Sequence, residues 1–351
     1  MLPTIVPITG DIALGTLSSA AAIALLPTLF LTDADVARLT DWQAAFDALH
    51  SAYASPIAAA MVPPRSMARG DGTWLRGLTA VSPSGRHMGC KLISASMKAR
   101  RASYLVSLFD QETMGLAALI DGNRITGIRT AATAAVAVNA AAPRKPLSVA
   151  VIGSGFEAKG LLAALAAVRD IARVRIFSPT PANREKFAST VREEHGLDIE
   201  VAASASRAIE GTNVVLCAAR SRDESPVIRG EWLAPGMTVV SIGSTLPEQR
   251  EVDEETIVRA SLIVADMPEE VAHDTGDMLA ATRAGVGFAG KLVSLADFVG
   301  GEVARKPEDI VLYKSVGSAL QDVITAEMLL ARARAMGVGT EMTHSIVPVA
   351  K

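Results

Sequence analysis

Cysteine and histidine are scarce in this 351-residue chain, and a surplus of either charge is missing. The two cysteines, Cys90 and Cys217, lie far apart, so neither a disulfide framework nor a CxxC metal pattern can be built from them. That usage fits a reducing compartment, and a cytoplasmic location is expected. The five histidines, His50, His87, His195, His273 and His344, show no HxH or HExxH spacing, which argues against a metal site. His87 lies close to Lys91 in sequence but reads as a loop histidine. A formal net charge of −3 gives no electrostatic reason to expect nucleic acid as a partner. Charge is absent altogether from residues 12–32, a run long enough to raise the question of a membrane span. No Lys or Arg precedes that run, Asp11 stands at its head and Pro27 interrupts it. A buried arm or subunit-contact segment is expected there instead, with no membrane partner.

What is present is a globular composition, half apolar and one-fifth charged, in a chain long enough for two domains. Residues 32–53 read as one helix, with Thr32 or Asp33 as its cap and Val36, Leu39, Trp42, Phe46 and Leu49 at three- and four-residue spacing. Short alternating runs follow around Trp74–Leu78, Gly89–Ser94 and Tyr104–Phe109, the pattern of an antiparallel sheet. Residues 130–142 are uncharged and rich in Ala and Val, which suits a helix packed on both sides. Pro143 and Pro146 bracket Arg144 and Lys145 and mark a boundary. From 147 to about 266, apolar strand-like runs alternate with helical or loop segments, which predicts parallel strands joined by crossover helices. An amphipathic helix is expected over 315–336, stopped by Gly337 and Gly339 and crossing back to the first domain. The fold class expected is therefore α/β: a doubly wound parallel Rossmann sheet (residues 144–306) inserted in a discontinuous α+β domain (1–143 plus 307–351).

A glycine motif gives the inserted domain a task. Val149, Val151 and Ile152 lead into Gly153-Ser154-Gly155-Phe156-Glu157-Ala158, and a helical run follows. Gly153 permits a tight turn, Gly155 lets backbone approach a pyrophosphate, and Ala158 is small enough for helix–strand packing. These six residues are the expected dinucleotide cradle. The second strand ends in Ser178, where a carboxylate would hold the ribose hydroxyls of NAD. Ser178, Thr180 and Arg184 form instead a hydroxyl-and-guanidinium set suited to a 2′-phosphate, unless Arg184 is simply a solvated surface arginine. NADP(H) is favoured as cofactor, with NAD(H) the alternative.

Outside the motif, several stretches resemble the ornithine cyclodeaminase/μ-crystallin family. They are Pro64-Arg65, Gly89-Cys90-Lys91, Arg129-Thr130-Ala131-Ala132, Gly243-Ser244 with Pro247, Gly276-Asp277, and Lys314-Ser315-Val316-Gly317 with Gln321-Asp322. The resemblance spans residues 32–339 and implies a homodimer with an inserted Rossmann domain. It implies that Arg65 and Arg129 hold a substrate carboxylate and that Lys91 is the catalytic proton donor facing the reacting carbon. Read from the residues alone, Arg65 could instead pair with Asp71, and Lys91 could be an outward strand residue. Thr130, Ala218, Ala219, Ser244, Ser315 and Gly317 are carried over as further cofactor contacts. Asp277 is carried over as a pocket residue, or else caps a helix beginning near Met278. Gln321 and Asp322 are expected to serve packing.

Three departures shape the expected chemistry. Thr245 stands where a cyclodeaminase carries an aspartate, and a threonine cannot act as a base at neutral pH. It is retained as a substrate-side residue. Residues Ala95-Ser96-Met97-Lys98 lack the family's proline–asparagine pair, and Arg220 replaces a small hydroxyl residue. Family members without that aspartate resemble imine reductases and amino-acid dehydrogenases, so the resemblance implies an NAD(P)H-dependent reductase of α-imino or α-keto acids, with cyclic ketimines such as pyrroline-2-carboxylate among its substrates; the other two departures bear on the shape of the substrate pocket. Two alternatives stand beside it: an ornithine cyclodeaminase that recycles its NAD, and a non-catalytic NADPH or small-ligand binder.

Overall fold

The computed structural model describes residues 26–221 and 223–349. Most of the uncharged run, and with it the expected buried arm, lies outside these residues. Its end forms a short strand, Leu29–Leu31, in which Leu31 is fully buried. This strand runs parallel to Leu116–Asp121 and antiparallel to Thr340–Glu341, so the two ends of the described chain share one sheet.

That first sheet has seven strands, and the expected antiparallel ribbon is its body. Thr73–Val81, His87–Ser96, Arg101–Asp110 and Leu116–Asp121 pair in succession, with Ser66–Arg69 at the far edge. Side chains alternate across a strand, and the register decides which face each residue takes. Lys91 lies opposite Leu78 and Val106, both buried, so it points into the core; its neighbour Leu92 is the outward residue. The outward alternative for Lys91 is thereby excluded. His87 opens this strand rather than lying in a loop, and it is buried against Glu327, with Nδ1 3.2 Å from Oε1.

The second sheet has eight strands, all parallel. Its order is Leu292–Ser294, Leu262–Ala265, Val311–Lys314, Thr238–Ser241, Val214–Cys217, Leu147–Ile152, Ile171–Phe177 and Ile199–Val201. The strand Val311–Lys314 lies beyond residue 306, yet sits in the interior of the sheet, between Leu262–Ala265 and Thr238–Ser241. A boundary at 306/307 would cut through this sheet, so the chain leaves it only after Lys314. Helix Asn123–Ala141 lies between the two sheets' layers and is buried on nearly all sides, which its run of alanines allows. It packs against helix Phe156–Val168, where the Gly160 backbone faces Ala131 and Trp42.

Two helices differ from expectation, each for a local reason. The run 32–53 is broken into Asp33–Leu39 and Trp42–Tyr53. Thr32 closes a capping box with Asp35, and Asp41 starts a second helix by accepting from the Ala44 N–H at 2.9 Å. The last helix begins at Ala319, capped by Ser318, because Ser315, Val316 and Gly317 are held outside it by the Asp266 carboxylate. Nor is this helix amphipathic over its first three turns. Every residue from 319 to 330 is buried, including Gln321, Asp322 and Glu327. No helix among the described residues is long and apolar enough to cross a membrane.

Candidate functional site

The strand Leu147–Ile152 ends in Gly153, which has φ +112°. A Cβ there would sit 2.5 Å from the Ala218 carbonyl oxygen, so only glycine fits between the two strand ends. The Gly153 N–H donates to the Phe177 carbonyl at 2.9 Å and so ties the turn to the next strand. Gly155 is the opposite case: a Cβ there would meet nothing within 4 Å. The turn is open to an incoming group at that point. Helix Phe156–Val168 starts immediately after it without a side-chain cap, leaving its first N–H groups for an anion. Ala158 is fully buried beneath the turn. Ser154 Oγ donates to Ser178 Oγ at 2.9 Å and bridges the first two strand ends. This arrangement fits a dinucleotide, with its pyrophosphate at the helix start.

A cluster of buried charges surrounds the segment after Lys314. Lys91 Nζ is buried and donates to Thr126 Oγ1 at 2.6 Å and to Asp322 Oδ1 at 2.9 Å; it also lies 5.7 Å from the Tyr104 ring centre. Burial lowers its pKa below that of an ordinary lysine, Asp322 opposes this, and the neighbouring Arg129 adds to the lowering. Arg129 Nε lies 3.5 Å from the same Asp322 oxygen, and its Nη1 donates to Gln321 Oε1 at 2.9 Å. Gly317, at φ +79°, lies against this guanidinium, and a Cβ there would fall on it. Arg65 Nη2 donates to the Gly317 carbonyl at 3.0 Å and forms an ion pair with Glu270, not with Asp71. The three cations nominated from sequence therefore converge, Lys91 and Arg129 on Asp322, Arg129 and Arg65 on Gly317.

The acids that organise them are not legible as such in the sequence. Asp322 is expected there to serve packing, yet it is the shared partner of two buried cations. The only sequence signal is the place of Asp322 among apolar residues in the first turn of the closing helix, since an acid that becomes buried needs a positive partner. Asp266, at the end of Leu262–Ala265, accepts from Ser315 Oγ (2.6 Å), Val316 N (3.1 Å), Gly317 N (2.8 Å) and Gln321 Nε2 (3.0 Å). Ser315 and the Gly317 amide are thus committed to Asp266. Burial and the Asp266 charge push the Tyr53 phenol well up, and its oxygen accepts from Gln321 Nε2 at 3.0 Å.

A model of the ornithine cyclodeaminase/mu-crystallin family matches residues 28–337. The chain belongs to this family. It is 31% identical over 265 residues to a Delta(1)-pyrroline-2-carboxylate reductase of Bacillus cereus, covering 75% of this chain and 78% of that protein. It is 30% identical over 224 residues to the ketimine reductase mu-crystallin of Mus musculus, covering 64% and 67% of the two chains. Among solved structures it is similar to the Thermococcus litoralis Delta(1)-pyrroline-2-carboxylate reductase in complex with NADH and L-proline. There the TM-score is 0.80 and the identity 26%, with 90% of this chain and 100% of that one covered.

Several residues that the family resemblance nominated take other places in this member. Asp277 does not face the Lys91 cluster. Its buried carboxylate accepts from Lys314 Nζ (2.7 Å), from Arg250 Nε (3.3 Å) and from the amides of Glu251 (2.9 Å) and Val252 (3.2 Å), which leaves nothing for a substrate. It lies in the first turn of helix Gly276–Arg283, whose cap position is Thr275. Lys314 Nζ also donates to Ser241 Oγ (2.9 Å), which donates to Glu251 (2.6 Å). Glu251 in turn accepts from the Ala219 amide (3.0 Å) and the Gly243 amide (2.8 Å). This second network fixes the strand ends that carry Ala218, Ala219 and Ser244. The Ser244 hydroxyl is spent on the Gln249 carbonyl at 2.6 Å. Thr245 is exposed, and its amide and hydroxyl both donate to Gln249 Oε1 (3.0 and 3.1 Å); among the described residues no contact links it to Lys91 or to either arginine. Arg220 faces Glu224 at 3.5 Å. Burial and the nearby Glu251 push the Cys217 thiol up, which makes it a poor nucleophile. Arg184 is engaged within the protein: Nη1 donates to the Ala202 carbonyl (2.8 Å) and the guanidinium lies 5.3 Å from the Phe177 ring. Thr180, exposed at the start of the next helix, and Thr130, buried on Asn123–Ala141, remain near their expected elements.

Asp277→Ala is expected to lower the unfolding free energy by about 3–5 kcal/mol, because it removes from the interior the carboxylate bonded directly to Lys314 and Arg250. Urea denaturation measures this. A substrate-binding role would instead raise KM and leave stability within about 0.5 kcal/mol of wild type.

Proposed function

We propose that this protein is an NAD(P)H-dependent reductase of α-imino or α-keto acids, acting on CH–NH groups, with cyclic ketimines related to pyrroline-2-carboxylate as its substrate class. The observation that carries the reading is the sharing of Asp322 by Lys91 and Arg129 next to Gly317 and Arg65. A bound nicotinamide supplies the hydride. Arg129 and Arg65 orient the substrate by its carboxylate, a task for which paired guanidinium N–H groups are suited. Lys91 holds a proton at Nζ and delivers it to the substrate nitrogen or oxygen as the hydride reaches the adjoining carbon, and burial makes that proton easier to release than an ordinary lysine's. Asp322 keeps Lys91 Nζ in place as it gives up that proton. The activities named for the Bacillus cereus and Mus musculus relatives support the same reaction type. The turning of Thr245 toward Gln249 weighs against cyclodeaminase chemistry, since no carboxylate is offered at that position.

The cofactor is NADP(H) in preference to NAD(H) on this reading. Ser178 leaves the ribose end of the second strand without a carboxylate. A cleft of about 400 Å³ beside it is lined by Ser154, Gly155, Lys159, Asn183 and Lys186. Two ammonium groups and an amide there suit a 2′-phosphate, and they take over the role first given to Arg184. The outward face of the seven-stranded sheet exposes Leu75 and Leu92, an apolar surface that supports a homodimer.

Lys91→Ala is expected to lower kcat for NADPH-dependent reduction of pyrroline-2-carboxylate by at least about 100-fold, the usual contribution of a placed general acid. In wild type, activity falls as pH rises through the Lys91 pKa, because only the protonated amine can donate. That descending limb lies below the ordinary lysine value of 10.5 and is lost in the variant. A rate within a few-fold of wild type contradicts the assignment. Ammonia release from ornithine without net cofactor change would select a cyclodeaminase, and tight NADPH binding without any turnover a carrier. Separately, Lys186→Ala is expected to weaken NADPH binding by roughly tenfold and to leave NADH binding unchanged, as titrations of cofactor fluorescence would show.

A further inference from the structure

Glu157 is the one acid in the dinucleotide turn, and neither the fold nor the proposed proton transfer uses it. It occupies the second position of helix Phe156–Val168 and is half-buried. Its Oε2 is closed off from solvent and has no hydrogen-bond partner among the described residues. A carboxylate oxygen in such a place is costly unless something answers it. Burial raises its pKa, while the charges of Arg129 and then Lys91 pull it back, so the group lies within electrostatic reach of both cations. Neither cation is bonded to it: Lys91 is held by Thr126 and Asp322, Arg129 by Gln321 and Asp322.

Two anchors bracket this carboxyl. On one side is the glycine turn, which would hold the pyrophosphate; on the other are the cations that would take the substrate. Ser178, at the end of the second strand, would face the adenosine half. The nicotinamide half must therefore run to the Glu157 side if its hydride is to reach a carbon held by Arg129 and Lys91. The reduced ring is neutral and the oxidised ring is a cation. When the hydride, with its electron pair, passes to the imine carbon and the Lys91 proton to the nitrogen, the positive charge left behind stays on the ring.

We propose that Glu157 is the counter-ion of the oxidised nicotinamide ring and sets the preference of the site for oxidised over reduced cofactor. The proposal rests on the dinucleotide-dependent reductase reading above and adds a specific charge to it. A carboxylate in a poorly solvated seam favours the state in which positive charge develops nearby.

The test is binding, not turnover. Dissociation constants for NADP+ and NADPH would be measured by calorimetry at pH 8 on the full-length protein, as wild type, Glu157→Gln and Glu157→Asp. Glu157→Gln is expected to weaken NADP+ binding by roughly tenfold, as loss of one nearby charge at intermediate dielectric implies. NADPH binding should stay within about twofold, which also reports that the variant is folded. Glu157→Asp keeps the charge and should recover at least part of the preference. Should Glu157→Gln shift both affinities equally, or neither, Glu157 is a packing residue and the counter-ion role is overturned. If wild type binds neither form of NADP(H) and neither form of NAD(H), the dinucleotide reading itself fails, and the counter-ion role with it.

Discussion

One buried carboxylate ties a strand, a helix and the closing segment of this molecule together. Asp322 lies in the first turn of the closing helix, enclosed by protein, and accepts two positive charges that would otherwise be stranded in the interior. Removing one partner from such a cluster costs several kcal/mol, because the remaining charge keeps its desolvation penalty. The cluster is thus a constraint on three elements at once: the strand that carries Lys91, the helix that carries Arg129 and the helix that closes the chain. Lys91 and Asp322 are more than two hundred residues apart in sequence, so the site exists only when the returning segment docks.

The same segment joins the two halves of the chain chemically. Val311–Lys314 is an interior strand of the parallel sheet, and the residues that follow pass over Asp266 before entering the helix. Asp266 stops the helix from starting early, and that places the Gly317 backbone between Arg129 and Arg65. A second, separate charge network around Asp277, Lys314 and Glu251 fixes the strand ends at the dinucleotide edge. One network gathers Lys91, Arg129 and Asp322, the other fixes the strand ends beside the glycine turn, and the backbone between Lys314 and Gly317 connects them.

Much of this is legible in the chain itself. The antiparallel ribbon follows from alternation, the parallel sheet from apolar runs separated by helical or loop segments, and the glycine turn from its place between strand and helix. Lys91, Arg129 and Arg65 are identifiable because their flanking residues resemble a known family. What stays hidden shares a cause: it depends on what a side chain meets across space. Asp277 occupies a familiar sequence position, but only the fold reveals Lys314 beneath it. Arg184 has the right chemistry for a phosphate, yet the Ala202 carbonyl and the Phe177 ring claim it. The closing helix reads as amphipathic because Gln321, Asp322 and Glu327 are polar; in the interior those residues are the ones that bind other polar groups. The boundary at 306/307 follows Lys306 and Pro307, a turn signal that precedes one more strand of the same sheet.

The central claim is that Asp322 positions an ammonium and a guanidinium for reduction of a carbon–nitrogen double bond. Single-turnover hydride transfer from NADPH to pyrroline-2-carboxylate, followed by loss of NADPH absorbance in wild type and Asp322→Asn, tests it most directly. The account predicts that the substitution slows transfer by at least about 100-fold, with the NADPH dissociation constant held within about threefold. Transfer at a rate within a few-fold of wild type, in a folded variant, would contradict it.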